Sequence, residues 1–222
     1  MENPSEKINK RPGKPDGARA QNRRARTEAL SEAALELFLE IGIEAVTIDQ
    51  IVGSADMAKG TFYRYFNDKE AIVQHLLAPV SREAEKALGE CQDSIRKAQD
   101  RAGLLSSYQD LAQNLVTSIY ANADVARLFL QESRGPDRGA VRPVAQLSRL
   151  ILEHSIALTV AAQSHGLQRD IEPEVSARAV VGAVESLILA SLDGSLQVSA
   201  PKVWTGLISL VVDGLKVEQA NG

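Results

Sequence analysis

Residues 47–66, TIDQIVGSADMAKGTFYRYF, constrain this chain more than any other stretch. Thr47 can cap a helix while Gln50 reaches back to the cap, and Val46 can staple onto Ile51 across the same turn. Ile48, Ile51, Val52 and Ala55 then share one helical face. Asp56 follows in the turn, where an aspartate tolerates the left-handed backbone that most side chains avoid. A second short helix sets Phe62 and Phe66 four residues apart, facing inward, and leaves Lys59, Gly60, Thr61, Tyr63 and Tyr65 on the remainder. Two short helices joined by a tight turn, the second carrying small, basic and aromatic groups, form a helix-turn-helix pattern. Those five residues are DNA-contact candidates.

Charge qualifies this reading. Over 222 residues the formal net charge is -4, which argues against indiscriminate coating of nucleic acid but not against a localised basic face. Residues 1–26 carry Lys7, Lys10, Arg11, Lys14, Arg19, Arg23, Arg24 and Arg26 against Glu2, Glu6 and Asp16, with prolines and glycines interspersed. A disordered basic arm over 1–22 is expected, serving either phosphate and minor-groove contacts or solubility. Arg23, Arg24 and Arg26 adjoin the motif. A single cysteine, Cys91, allows no intrachain disulfide and suits a reducing compartment. Alone, it reads more naturally as an apolar filler than as a thiol sensor. The N-terminus lacks an apolar core and no uncharged apolar run approaches the ~18 residues that span a bilayer, so a cytoplasmic protein without a membrane partner is expected.

The rest of the chain is helical in pattern. Leu30, Ala34, Leu37, Phe38 and Ile41 form a core stripe. Opposite them Glu28, Glu32, Glu36, Glu40 and Glu44 recur every four residues, a solvated face. Asn67 and Glu70 read as a capping pair starting a helix at Asp68 or Lys69 that runs toward Leu88, with Pro79 expected to bend or break it. Further helices are predicted over 103–120, 123–133, 139–165, 173–193 and 201–216, divided at Gly135-Pro136, Gly166, Pro173, Gly194 and Pro201. No strand alternation is evident, which makes the fold all-α, a helical bundle. Val175 to Leu192 is apolar nearly all round, and Ala179, Ala183, Ser186 and Ala190 would let another helix approach closely. Such a helix needs burial on both sides. Trp204, Leu207, Ile208, Val211 and Leu215 supply a similar surface on the last helix.

T-I-D-Q-I followed by M-A-K-G-T-F-Y-R-Y-F-N-D-K-E resembles the signature of the TetR (tetracycline repressor-like) family of transcriptional regulators, and A-L-S-E-A-A-L-E-L-F-L-E-I-G (29–42) resembles that family's first helix. The likeness covers roughly residues 26–73. Asp56 departs from the usual turn glycine. Ala58 stands where a capping serine or threonine is common, which shifts that contact toward Thr61.

The resemblance implies a three-helix DNA-binding domain at 23–72 and a helical effector-binding and dimerisation domain at 73–222. It also implies a homodimeric, ligand-responsive repressor of double-stranded DNA that reads a pseudo-palindromic operator. The DNA-binding candidates are Thr47, Lys59, Gly60, Thr61, Tyr63, Tyr65, Lys69 and Arg26. Lys69 is included because a cation in a helix's first turn is disfavoured by the dipole and a phosphate would account for it. Candidate pocket residues are Tyr108, Tyr120, Phe129 and His154. The interface candidates are Ala179, Ala183, Ser186, Ala190, Trp204, Leu207, Ile208 and Val211, on the two final helices that would pair with their copies. Two alternatives remain: a DNA-binding regulator without an effector, and a helical small-molecule-binding protein with a vestigial helix-turn-helix. His75, His154 and His165 have no partners at metal-site spacing, and no glycine loop, G-x-S-x-G elbow or H-E-x-x-H occurs. No catalytic residue, metal or cofactor is therefore assigned.

Overall fold

The computed structural model describes the backbone of residues 17–214 and the side chains of 17–199 and 202–209. Among these residues the secondary structure is entirely helical: α1 (Ala18–Ile41), α2 (Ile48–Ser54), α3 (Lys59–Tyr65), α4 (Lys69–Lys97), α5 (Arg101–Ala121), α6 (Ala123–Glu132), α7 (Arg142–Ser164), α8 (Pro173–Leu192) and α9 (Ala200–Gly214). A short 3-10 turn, Gly139–Val141, leads into α7.

Local chemistry sets most of the boundaries. Thr47 and Gln50 form the expected reciprocal cap at the start of α2, and Asp56 takes the left-handed turn with φ of 50°. Helix α1 ends at Gly42, whose φ of 84° reverses the chain while its N–H donates to Phe38 O. Ile43 then enters the core in place of Ile41, which is 45% exposed despite lying on the predicted stripe.

Three boundaries differ from expectation. Helix α1 begins at Ala18, inside the segment predicted to be a disordered arm, because residues 18–26 hold alanines and arginines and no proline. The cap of α4 is Asp68, whose carboxylate accepts from Ala71 N at 2.8 Å, rather than Asn67. Helix α4 also runs unbroken through Pro79 to Lys97. Pro79 and His75, whose carbonyl loses its helical partner, both lie on the exposed side where water can serve that carbonyl. On either side of Pro79 the helix is held by buried residues: Ile72, Val73, Leu76 and Leu77 before it, Ala84, Leu88, Cys91 and Ile95 after it.

Packing ignores the domain boundary predicted at 72/73, which falls within α4. One core unites Leu30, Ala34 and Phe38 of α1, Ile51 and Val52 of α2, Phe62 of α3, Ile72, Val73 and Leu76 of α4, Leu128 and Phe129 of α6, and Val144 and Leu147 of α7. The helix-turn-helix therefore rests on residues from both halves of the sequence. A second core joins Leu88, Cys91 and Ile95 of α4 to Leu104 of α5 and Leu158, Ala161 and Ala162 of α7. Burial there pushes the Cys91 thiol up to about 12, so at neutral pH it is a packed, unreactive thiol.

Helix α8 is long and apolar enough, by length and composition, to cross a membrane, yet only 11% of that stretch is buried within the chain. It packs on α6, α7 and α9. Its remaining apolar surface faces outward.

Candidate nucleic-acid interface and ligand cavity

Helix α3 turns Phe62 inward, fully buried, with Phe66 5.7 Å away ring to ring and Phe66 in turn 5.5 Å from the His75 ring. This anchoring fixes what faces out. Lys59, Gly60 and Tyr63 are exposed, Thr61 and Tyr65 half-buried at the flanks. Arg64, which sequence reasoning passed over, is exposed on the same helix, one position beyond Tyr63. The helix has no side-chain cap at Ala58, and Thr61 N bonds Ala58 O instead. A Cβ at Gly60 would meet nothing within 4 Å, so the protein itself does not require glycine there.

Arg26 lies exposed on α1, and the Arg23 guanidinium stands 6.0 Å over the Tyr65 ring, bringing the basic start of α1 beside α3. The Glu28, Glu32, Glu36, Glu40 and Glu44 ridge is exposed throughout.

Three candidates, Thr47, Lys69 and Lys59, are engaged within the protein. Thr47 Oγ1 accepts from Gln50 N at 3.2 Å and donates to Gln50 Oε1 at 2.9 Å, so its hydroxyl serves the α2 cap. Lys69 Nζ donates to Glu44 O at 2.9 Å and Val46 O at 2.8 Å, pinning the α1–α2 loop to the start of α4. These carbonyls explain a cation in that first turn without any phosphate, and desolvation moves the Lys69 pKa downward. Lys69→Ala should therefore lower thermal stability by about 1–2 kcal/mol, since two charge-assisted hydrogen bonds at a half-exposed site are lost. A melt unchanged from the parent, with DNA affinity reduced, would return Lys69 to a purely phosphate-facing role.

Lys59 Nζ sits 2.8 Å from Asp49 Oδ1 on α2, with both side chains exposed. The hydrogen bond and charge of Asp49 hold the lysine pKa above its usual value. In the free protein this carboxylate competes with any phosphate for Lys59. Asp49→Asn should raise DNA affinity roughly three-fold and steepen its salt dependence by about one counterion; weaker binding would show that Asp49 itself contacts DNA.

Helices α4 to α9 line a part-open cavity of about 200 Å³ whose wall is almost wholly apolar. Of the four pocket candidates, Tyr108 and Phe129 line it. Tyr120 faces a separate small crevice, 45% exposed and bonded to Ser191 Oγ at 2.8 Å. His154 is off the wall, because α7 presents Leu147, Ile151, Ser155, Leu158 and Thr159 to the cavity and His154 falls beside that face. Gln168, on the α7–α8 connection, lines the cavity and was not foreseen, since nothing in its local sequence marks it.

Trp204, Leu207 and Ile208, expected at an interface between copies, line the cavity. Spaced three and four apart, they form the inward stripe of α9 and close the cavity against α5 and α8. Part of their apolar surface is thus covered within the chain. The Val211 side chain and Leu215 lie outside the described residues. On α8, Ala179 and Ser186 are exposed and Ala183 and Ala190 half-buried, so that small-residue surface is left uncovered.

Two cavity-lining residues belong to the core that the helix-turn-helix also joins. Phe129 and Leu147 line the cavity and belong to the same hydrophobic core as Ile51, Val52 and Phe62 of α2 and α3. Glu132 Oε1, at the end of α6, accepts from Ile43 N at 2.9 Å in the α1–α2 loop, and Arg142 pairs with Glu70 at 3.1 Å. Among the described residues no group of three or more His, Cys, Asp or Glu side chains could hold a metal ion.

Comparison with known proteins adds a family. Residues 30–76 match the family model described as bacterial regulatory proteins, tetR family. The chain is 20% identical over 156 residues to an uncharacterised helix-turn-helix transcriptional regulator, YhgD of Bacillus subtilis, covering 68% of this chain and 76% of that one. The solved structure of NalD, the secondary repressor of the MexAB-OprM multidrug efflux pump in Pseudomonas aeruginosa, is similar over 90% of this chain and 100% of its own, with a TM-score of 0.65 at 17% identity. The Bacillus subtilis regulator FadR in complex with stearoyl-CoA is similar over 85% of this chain and 98% of its own, with a TM-score of 0.61 at 15% identity. At those identities the likeness is one of fold.

Proposed function

We infer that this chain, a DNA-binding transcriptional regulator of the TetR family, acts as a homodimeric repressor that a small molecule releases from its operator. Two α3 helices would enter major grooves about 34–36 Å apart, so the operator should be a pseudo-palindrome. Lys59, Thr61 and Tyr63 would lie nearest base edges, with Arg26 and Tyr65 on phosphates and Gly60 allowing close approach. Arg64 joins them by its exposure. The uncovered small-residue face of α8 would meet its copy across a two-fold axis, where an apolar helix needs a second neighbour. The protein would work in the cytoplasm on chromosomal DNA.

The observation that carries effector control is the double role of Phe129 and Leu147. A ligand pressing on them changes packing in a core that the helix-turn-helix shares, and it shifts the equilibrium to the extent that it prefers one arrangement of that core. The folds shared with NalD and with stearoyl-CoA-bound FadR are those of a repressor and of a protein that holds a small molecule, which supports the same reading.

The experiment is capture of genomic fragments by the purified protein without ligand, sequenced at two salt concentrations. A small set of promoters sharing a palindrome is expected. Recovery of no enriched sequence even at low salt would sink the repressor reading.

A further inference from the structure

Helix α6 lies between the cavity and the helix-turn-helix, and a polar contact joins the two in addition to packing. Ala126, Phe129 and Leu130 of this helix line the cavity. Glu132, its last residue, follows Phe129 within one helical turn, so both move with the same rigid segment. The Glu132 carboxylate accepts from Ile43 N at 2.9 Å, across 89 positions of sequence. Ile43 lies in the loop between α1 and α2 and is fully buried, so its N–H has no water to bond if the carboxylate withdraws. An orphaned buried donor carries its whole desolvation cost, and the loop is therefore drawn along with the carboxylate.

The surroundings leave room for this contact. A Cβ on Gly42 would come within 3.2 Å of Glu132 Oε1, and one on Gly135 within 3.0 Å of Glu132 O. On the other side of the loop, Lys69 Nζ holds Glu44 O and Val46 O from the first turn of α4. Burial lowers the Lys69 pKa while the charges of Glu44 and Glu132 oppose that shift, so the two clamps act on each other. They differ in their distance from the cavity. Helix α4 meets it only from Val80 onward, about three turns beyond Lys69, whereas α6 carries cavity wall within a turn of Glu132. Phe129 and Leu147 also link the cavity to the shared core. Apolar contacts are non-directional and re-form after a small slide, but a hydrogen bond weakens steeply with distance and angle.

Taking the chain as an effector-controlled repressor, we propose that Glu132 is the positioning residue that couples the cavity to the DNA-binding helices. Through its bond to Ile43 N–H, a displacement of α6 moves the α1–α2 loop. That loop ends at Thr47, the cap of α2, so the seat of α2 and α3 moves with it.

The test needs no knowledge of the effector. Ala126→Phe enlarges a cavity-wall residue of α6 that is 4% exposed, and so imitates an occupant that displaces the helix. Operator affinity of the full-length protein is measured by fluorescence anisotropy for the parent, Ala126→Phe, Glu132→Leu and the double variant, with Glu132→Gln as the conservative control. Ala126→Phe should weaken operator binding about ten-fold in the parent and less than about two-fold in the Glu132→Leu background, a non-additivity that a merely destabilising loss at Glu132 does not produce. Glu132→Gln keeps an acceptor oxygen, so its affinity and its response to Ala126→Phe should stay within about two-fold of the parent's. The dependence of affinity on salt should be the same in every variant, since no phosphate contact is removed. Leu130→Phe, at a half-buried position of the same wall, replaces Ala126→Phe if that variant does not fold. Equal weakening with and without the Glu132 carboxylate overturns the proposal, as does no weakening in the parent or a Glu132→Gln variant that behaves like Glu132→Leu. A parent that binds no specific sequence removes the repressor reading along with it, whereas specific binding with additive effects removes the role of Glu132 alone.

Discussion

Phe62→Ala is expected to lower the stability of the whole chain by about 3–5 kcal/mol and to abolish specific DNA binding. Phe62 is fully buried, its ring 5.6 Å from Tyr63 and 5.7 Å from Phe66. The cavity left by truncation opens in a core that α1, α2, α3, α4, α6 and α7 share, so the loss cannot be confined to the helix-turn-helix. Calorimetry should show one transition in parent and variant, shifted down by about 2–4 °C per kcal/mol for a chain of this size. Two transitions, of which the mutation moves only the lower, would show that residues 23–72 melt by themselves and that the shared core contributes little.

Gly60→Glu should do the opposite, leaving the fold intact and removing function. The position is exposed and open around an added Cβ, and glutamate is a better helix former than glycine by about 0.5–1 kcal/mol. Its melt should equal or slightly exceed the parent's. A carboxylate at the surface meant to approach DNA closely would repel phosphate and block the approach, so operator affinity should fall about 100-fold or more, measured by fluorescence anisotropy at fixed salt. Gly60→Ala separates the two causes: a comparable loss would assign the effect to shape, and a small loss to charge. Unchanged affinity for the glutamate variant would remove α3 from the DNA interface.

Both predictions rest on parts of the chain that were legible before any coordinates, and their contrast shows how far that legibility extends. The cap at Thr47 and Gln50, the left-handed Asp56, the inward Phe62 and Phe66, and the starts and stops of α5 to α9 are all local matters. Each follows from side chains reaching backbone within a turn, or from Gly and Pro limiting φ, and such interactions are specified by neighbours in sequence. The cavity residues were legible only by type. Aromatic side chains at helical spacing can face a core, a crevice or solvent, and Phe129 and Tyr108 line the cavity while Tyr120 faces a separate crevice.

The sequence by itself determined a helical chain with a helix-turn-helix at 47–66, the residues that face out of its second helix, and a late helix with more apolar surface than one neighbour can cover. Only the tertiary structure decided that Lys69 clamps the Glu44 and Val46 carbonyls, that Trp204, Leu207 and Ile208 line a cavity, that Gln168 bonds Tyr108 beside it, and that Phe129 and Leu147 belong at once to the cavity lining and to the core the helix-turn-helix shares. Each of these joins residues 23 or more positions apart. Their meeting depends on how whole helices dock, and docking is set by the summed burial of many side chains rather than by any signal within one turn.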